Sequence, residues 1–271
     1  MVKGLVGLTI AAFATYVGIA ALLYVFQRDL QYLPGGSVAV SAALADRGVR
    51  LITIESGDGE RLAALYGQAS EGHPTILYLP GNGGSVADSS DRFAEMIDSG
   101  FGVLGLSYRG YPGSTGKPTE KGLIADGLAA YDWLIAEGVL ERDLIIYGWS
   151  LGSGVAVQVA EKRGPRALIL EAPFLSAEAI ARQRYPIMPV GLLMKDTFRS
   201  DLYLAKLDVP LVVFHGTADG TIPVGQSKEV LALYSGPKSY VEIDGGSHVN
   251  LWEHIGWPGI LNELRKLGAI P

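Results

Sequence analysis

Residues 144–154 read LIIYGWSLGSG and run on into the helical stretch VAVQVAEK. An apolar, strand-like segment therefore meets a predicted helix across a turn that carries Ser150 between Gly148 and Gly152. A serine at such an elbow presents its hydroxyl outward, and the glycines leave no side chain to clash where strand and helix nearly touch. The GxSxG pattern is weak evidence alone, but its position at the predicted elbow makes Ser150 a candidate nucleophile.

Apolar strand-like runs alternate with helical stretches along most of the chain. After an opening hairpin at 51–68, strands are predicted at 75–80, 101–108, 144–150, 167–173, 211–216 and 240–245. Helices are predicted at 86–99, 120–137, 151–163, 226–235 and 252–267. This alternation is typical of an α/β fold with a mostly parallel sheet flanked by helices. The stretch 174–208 interrupts the pattern and is interpreted as a short cap insertion.

Residues 4–26 contain no charged side chain over 23 positions. A helix of that length measures about 34 Å, enough for a hydrocarbon core of about 30 Å. One alternative is a cleaved signal peptide, but the run exceeds the usual apolar region of one, and the other is a buried core helix. We expect a single-pass N-terminal membrane anchor at 1–27 and one α/β domain at 28–271. Lys3 and the α-amino group precede the run, and Arg28 and Asp29 follow it; this charge balance favours a non-cytoplasmic location for that domain.

The overall composition excludes several classes of function. A net charge of −6 argues against nucleic-acid binding, which needs a basic face to meet phosphates. The absence of cysteine excludes disulfides, thiolate metal sites and a thiol nucleophile. With only four histidines, a multi-histidine metal centre is not expected. We predict no metal and no cofactor.

A nucleophilic serine needs a base that is held by a carboxylate. Asp219 follows the predicted strand 211–216, and His248 follows the predicted strand 240–245. Both lie on loops after the carboxyl ends of strands, where open α/β sheets gather their sites. The order Ser150, Asp219, His248 is also the order that serine-elbow hydrolases use.

Other interpretations of these residues stay open at this stage. Asp219 has the alternative of an ordinary turn aspartate, and His248 that of a surface loop histidine. His254, six residues further on, is the competing base. His215 ends a strand and is interpreted as structural, while His73 lies in a polar turn with no predicted chemistry.

A tetrahedral intermediate also needs hydrogen-bond donors for its oxyanion. The backbone N–H of Leu151, next to the nucleophile, is one candidate. The second is the N–H of Asn82, in the loop PGNGG at 80–84 after a predicted strand. A plain glycine-rich turn is the alternative, whereas a phosphate loop fits poorly because its Lys-Ser/Thr ending is missing.

Six segments, taken in order, resemble the membrane-anchored bud-emergence (Bem-type) branch of the α/β-hydrolases. They are QRDLQYLPG (27–35), LPGNGGS (79–85), SYRGYPGSTGKPTEKG (107–122), GWSLGSG (148–154), RYPIMPVGLL (184–193) and HGTADGTIP (215–223). The resemblance implies an α/β-hydrolase fold with Ser150 as nucleophile, Asp219 as acid and His248 as base. Two residues depart from the family pattern: Pro80 stands where members usually carry histidine, and Pro112 where they usually carry glycine.

The sequence thus predicts a serine hydrolase that cleaves an ester, thioester or amide through an acyl-enzyme. A non-catalytic binding scaffold is the alternative from another class, and a serine aminopeptidase-like peptidase is the alternative among enzymes. The expected partners are the membrane and a small-molecule or lipid-like acyl substrate. Apolar cap residues are predicted to line an acyl-sized pocket, with simple packing onto the sheet as the alternative: Ile187, Met188, Val190, Leu192, Leu193, Met194 and Phe198.

Overall fold

The computed structural model describes residues 2–271. Its strands are β1 Leu33–Pro34, β2 Arg50–Glu55, β3 Arg61–Gly67, β4 Thr75–Leu79, β5 Gly83–Gly84, β6 Gly102–Leu106, β7 Leu144–Trp149, β8 Ala167–Glu171, β9 Leu211–Gly216 and β10 Lys238–Ile243. Its α-helices are α1 Val2–Gln31, α2 Ala42–Ala45, α3 Ser90–Asp98, α4 Glu120–Ala136, α5 Leu151–Lys162, α6 Ala177–Arg184, α7 Val190–Leu193, α8 Gly225–Leu233 and α9 Leu251–Lys266.

An eight-stranded sheet in the order β10-β9-β8-β7-β4-β6-β3-β2 forms the centre of the molecule. The β2–β3 and β3–β6 pairs are antiparallel, and the other pairs of this sheet are parallel. Strands β4, β6, β8 and β9 are buried along their whole length. This burial explains their continuous apolar sequences, because helices cover both faces of the sheet. The predicted fold class is confirmed.

Two apolar cores lie on opposite faces of the sheet. One contains Leu123 of α4, Val155 of α5 and Val230 of α8. The other contains Phe93 of α3 and Leu264 of α9. Because the parallel strands share one direction, their carboxyl ends meet at a single edge. The loops that leave that edge therefore converge, and they carry the residues predicted to react.

Helix α1 stands apart from these cores, since none of its residues is buried. It is long and apolar enough to cross a membrane by length and composition. It continues to Gln31, beyond the predicted end of the anchor at residue 27. The chain then returns to the globular part, where β1 pairs in parallel with β5.

Candidate active site

Ser150 lies on the turn between β7 and α5 with φ 52° and ψ −117°. A non-glycine residue with positive φ is strained, and such strain is typical of a nucleophile elbow. A Cβ at Gly148 would lie 2.5 Å from the carbonyl oxygen of Gly152. A Cβ at Gly152 would overlap the carbonyl oxygens of Leu79 and Pro80. The two glycines are therefore required for the close approach of strand, helix and neighbouring loop.

The structure brings Ser150, His248 and Asp219 together at the carboxyl edge of the sheet. Nε2 of His248 lies 2.9 Å from Oγ of Ser150. Nδ1 of the same ring lies 2.7 Å from Oδ2 of Asp219. Ser150 and Asp219 are buried and His248 is half-buried, so the imidazole joins a buried carboxylate to a buried hydroxyl.

Asp219 is held by hydrogen bonds to both of its carboxylate oxygens. Oδ1 accepts the backbone N–H groups of Thr221 and Ile222, each at 2.8 Å. Oδ2 accepts from His248 and also from Nε2 of His215 at 3.1 Å. Burial by itself raises the pKa of Asp219, but the hydrogen bonds from His215, His248 and Ile222 outweigh burial and hold that pKa well below its usual range. Asp219 therefore remains a carboxylate at neutral pH.

The other three histidines lie apart from the nucleophile. His215 is fully buried, with Nδ1 against the Ser227 hydroxyl and Nε2 against Asp219 and the Ile222 carbonyl. Its ring thus helps to orient Asp219 through Oδ2, the same carboxylate oxygen that His248 contacts. His254 is exposed on α9, and His73 packs edge-on against the ring of Phe101.

The two predicted oxyanion donors belong to segments that contact the nucleophile or follow it directly. Leu151 is the first residue of α5, so its N–H is one of the helix donors that have no intrahelical acceptor. Asn82 lies in the loop after β4, next to Gly81, whose added Cβ would lie 3.5 Å from Cβ of Ser150. The loop therefore packs directly on the serine.

Asn82 is positioned by groups that the sequence did not reveal. Its carbonyl accepts the Tyr111 hydroxyl at 2.7 Å and the Leu33 N–H at 2.8 Å. Its side-chain nitrogen donates to the Gln31 carbonyl at 3.1 Å. The last residue of α1 and the strand that follows it therefore help to hold the loop beside Ser150.

The same support continues along the short β1–β5 ladder. Beyond that ladder, the Gly35 N–H donates to the Gly84 carbonyl at 3.1 Å. These contacts come from the segment 27–35, which stood out only through the family resemblance. They support the loop that contains Pro80 from outside.

A buried ion pair lies beneath the elbow and was also not predicted. Arg92 of α3 binds the Glu171 carboxylate, with Nη2 at 3.2 Å from Oε1 and Nη1 against Oε2. The Tyr147 hydroxyl donates to Oε2 of Glu171 at 2.7 Å. The guanidinium carbon of Arg92 lies 5.0 Å from the centre of the Trp149 ring, and the Glu171 carbonyl accepts the Ser150 N–H at 2.9 Å. These contacts thus connect Trp149 and Ser150, at the elbow turn, to α3 and β8.

The apolar cap residues do not share one environment. Val190 and Phe198 are buried, and Phe198 packs edge-on against Tyr32 with 6.5 Å between ring centres. Ile187 and Leu192 instead face outward, with 74 % and 87 % of their surfaces exposed. The expectation that all seven apolar residues line a pocket is therefore wrong for these two.

A mostly parallel sheet covered on both faces, with a serine elbow at its carboxyl edge, defines the alpha/beta hydrolases. A family model described as alpha/beta hydrolase fold matches residues 74–203. The "Uncharacterized protein Rv2307c" of Mycobacterium tuberculosis is 32 % identical over 246 residues, which are 89 % of this chain and 88 % of that protein. The chain belongs to the alpha/beta hydrolase family.

Esterases and lipases are among its neighbours. The lysophosphatidylserine lipase ABHD12 of Danio rerio is 32 % identical over 187 residues, which are 62 % of this chain and 49 % of that protein. A solved structure of the Pyrococcus furiosus esterase Pf2001 superposes with a TM-score of 0.70 at 16 % identity, covering 88 % of this chain and 98 % of the esterase.

Proposed function

We propose that this protein is a serine hydrolase in which Ser150, His248 and Asp219 act as nucleophile, base and acid. The observation that carries the proposal is the hydrogen-bond chain of 2.9 Å from Ser150 to His248 and 2.7 Å from His248 to Asp219. A serine hydroxyl is a weak nucleophile until a neighbouring base removes its proton. The carboxylate fixes the imidazole with its proton on Nδ1, which leaves Nε2 free to accept the serine proton.

The reaction proceeds in two halves. Oγ of Ser150 attacks the substrate carbonyl carbon while its proton passes to Nε2 of His248, and the N–H groups of Leu151 and Asn82 bind the resulting oxyanion. The tetrahedral intermediate collapses, the leaving group takes the proton from His248, and an ester joins the acyl group to Ser150. Water then attacks that ester with His248 again as base, which releases the acid and restores the serine.

The substrate class that we propose is a lipid-like ester. The relative from Danio rerio is a lysophosphatidylserine lipase, and the chain carries a long apolar helix beside exposed apolar cap residues. Thioester and amide cleavage use the same chemistry, so thioester and amide substrates are tested as well. Membership of the Bem-type branch, with an anchor at 1–27, a cap at 174–208 and the globular domain outside the cytoplasm, belongs to the same proposal.

Labelling with a fluorophosphonate tests the nucleophile. We expect the full chain in detergent to be labelled on the peptide that contains Ser150, and Ser150→Ala to remain unlabelled. Ser99→Ala, an exposed serine at the end of α3, is the matched control and should be labelled like the unmodified chain.

Turnover of short-chain and lysophospholipid esters gives the second measurement. Ser150→Ala and His248→Ala should each lower kcat on the order of 10⁶-fold, and Asp219→Asn on the order of 10⁴-fold. If the folded chain is neither labelled nor active on esters, thioesters and peptides, the binding-scaffold interpretation replaces this one.

Because the chain has no cysteine, a single added one reports its side of the membrane. Leu140→Cys lies on the surface of the globular part. In intact cells a membrane-impermeant maleimide should label it, if the domain lies outside the cytoplasm. Labelling only after the cells are opened places the domain inside.

A further inference from the structure

An apolar loop of the cap lies exposed on the surface. Residues 185–194 read YPIMPVGLLM and contain no charged side chain, and Arg184 and Lys195 stand directly on either side. Within this apolar cap loop, Leu192 and Ile187 are among the most exposed large apolar side chains of residues 2–271. Such a surface needs a partner, because contiguous exposed apolar side chains are costly in water.

The apolar cap loop runs alongside helix α1. Near the end of the helix, Nε2 of Gln27 donates to the Leu193 carbonyl at 3.1 Å, and Oε1 of Gln27 accepts the Lys195 N–H at 2.7 Å. Further toward the helix N-terminus, the Tyr16 hydroxyl donates to the Ile187 carbonyl at 2.8 Å. Tyr16 and Gln27 are eleven positions apart, which corresponds to about 16 Å along the helix axis.

If α1 crosses a bilayer, this contact means that the loop cannot stay in water. The uncharged run of α1 begins at Gly4, just after Lys3, and Tyr16 lies twelve residues further on. The part of the run on the far side of Tyr16 is therefore about 18 Å long, whereas the hydrocarbon core is about 30 Å thick. If α1 spans that core, the loop at Ile187 must lie on the order of 10 Å below its surface.

We propose that the apolar cap loop inserts into the lipid bilayer beside α1. This inference depends on α1 crossing the membrane, as in the proposed function. Nζ of Lys195 lies 4.1 Å from the centre of the Tyr24 ring, near the end of the uncharged run, so it marks the level of the lipid headgroups. Arg184, on the other side of the loop, is exposed, and a long arginine side chain can extend its charge toward the headgroups while its stem stays in an apolar environment.

The inserted loop is linked to the nucleophile by a packing contact close to the end of the loop. Phe198, shortly after the loop, packs against α5, where a Cβ added at Gly154 would lie 3.0 Å from Cβ of Phe198. Helix α5 begins directly after Ser150. An enzyme held in this way stays next to the bilayer, so that a lipid substrate does not need to cross bulk water to reach it.

Depth-dependent quenching tests the insertion directly. The chain has no cysteine, so Ile187→Cys and Leu192→Cys can each carry one environment-sensitive fluorophore in the full chain, reconstituted in phosphatidylcholine vesicles with doxyl-labelled lipids. Val17→Cys in α1 is the control inside the membrane. Leu140→Cys, which is 50 % exposed at the opposite edge of the sheet, is the control in water.

We expect quenching at positions 187 and 192 as at 17, and none at 140. Quenching at 17 alone places the loop in water and overturns the inference, as does the absence of quenching at all four positions. Turnover of a soluble short-chain ester by the same samples reports separately on the proposed function. An active sample without quenching at 187 and 192 refutes the insertion only, and a quenched but inactive sample refutes the function only.

Charged substitutions give a second, functional readout. Ile187→Asp combined with Leu192→Asp should lower kcat/KM on vesicle-bound lipid esters at least about tenfold, because aspartate is costly in hydrocarbon. The same variant should hydrolyse a soluble ester within about twofold of the unmodified chain. Leu140→Asp should change neither rate, and equal losses on both substrates in the double variant would contradict the insertion.

Discussion

Arg28 of the long helix binds the carboxylate of Asp196 in the cap through two nitrogens. Nε lies 2.7 Å from Oδ2 of Asp196, and Nη2 lies 3.1 Å from Oδ1. The Asp196 side chain is only 5 % exposed, whereas Arg28 is 43 % exposed. Oδ1 of Asp196 also accepts the Glu120 N–H at the start of α4, and its backbone carbonyl accepts Nε2 of Gln31. Asp196 is therefore the point where the long helix, the cap and the globular part are joined.

Removing the arginine should loosen this junction. We expect Arg28→Ala to lower the free energy of unfolding by about 1–3 kcal/mol, since a nearly buried carboxylate loses a charged two-point donor. Arg28→Lys should recover only part, because an ammonium cannot form both bonds in the same geometry. Thermal unfolding in lipid nanodiscs measures both. Arg142→Ala, an exposed arginine 3.8 Å from its carboxylate, is the control and should have no effect.

The support of the oxyanion loop should appear in kcat. Tyr111→Phe removes one of the two donors to the Asn82 carbonyl, so the N–H of Asn82 is held less firmly. We expect kcat to fall about 3–10-fold with KM unchanged, less than the effect of deleting an oxyanion donor. The matched control is Tyr131→Phe, a buried tyrosine whose hydroxyl has no hydrogen-bond partner among residues 2–271. A rise in KM alone, or equal losses in both variants, would show that Tyr111 does not position the donor.

The ion pair under the elbow should contribute strongly to stability. Arg92→Met leaves the Glu171 carboxylate buried without its cation, and we expect a loss of about 3–5 kcal/mol. Adding Glu171→Gln to Arg92→Met removes the unpaired buried charge and should restore a part of the lost stability. A double-mutant cycle from urea unfolding measures the coupling. Additive losses from the two substitutions would mean that the pair is not coupled.

Acid should weaken the fold through Asp219. A pKa that lies below the usual 3.8 in the folded state means that the carboxylate stabilises the fold fully above that value, and that this contribution is lost as the pH falls further. Asp219→Asn lacks the contribution at every pH. The difference in free energy of unfolding between the unmodified chain and Asp219→Asn, measured by urea unfolding, should therefore be larger at about pH 6 than at about pH 3. A difference that stays constant would contradict the depressed pKa.

Much of the fold could be predicted because its signals are local. The buried strands β4, β7 and β9 are largely apolar runs, and the opening hairpin predicted at 51–68 turns between Glu55 and Arg61, at Gly57-Asp58-Gly59. The three candidate catalytic residues follow from the same logic, since each comes directly after a strand whose carboxyl end lies at one edge. Short-range patterns thus predict the fold class and the position of the candidate site.

The missed features depend on contacts between distant segments. Gln31 and Asn82 are far apart in sequence, and no local pattern indicates that one supports the other. Arg92 occupies a helix position that resembles an ordinary solvent-facing arginine, yet it pairs with a carboxylate on β8. The cap has no regular hydrophobic periodicity that would distinguish the exposed Ile187 from the buried Phe198. In each case tertiary packing, rather than propensity, decides the outcome.

The β1–β5 ladder has a consequence for the order in which the protein folds during synthesis. Helix α1 and β1 leave the ribosome before β5, which follows about 50 residues later, after a few seconds at roughly 5–20 residues per second. By then a helix as apolar as α1 has had time to enter the membrane. If α1 is inserted there, as proposed, the segment around Gly83 meets a pairing strand that is already tethered, and the globular part begins to assemble at the lipid surface before His248 has been synthesised.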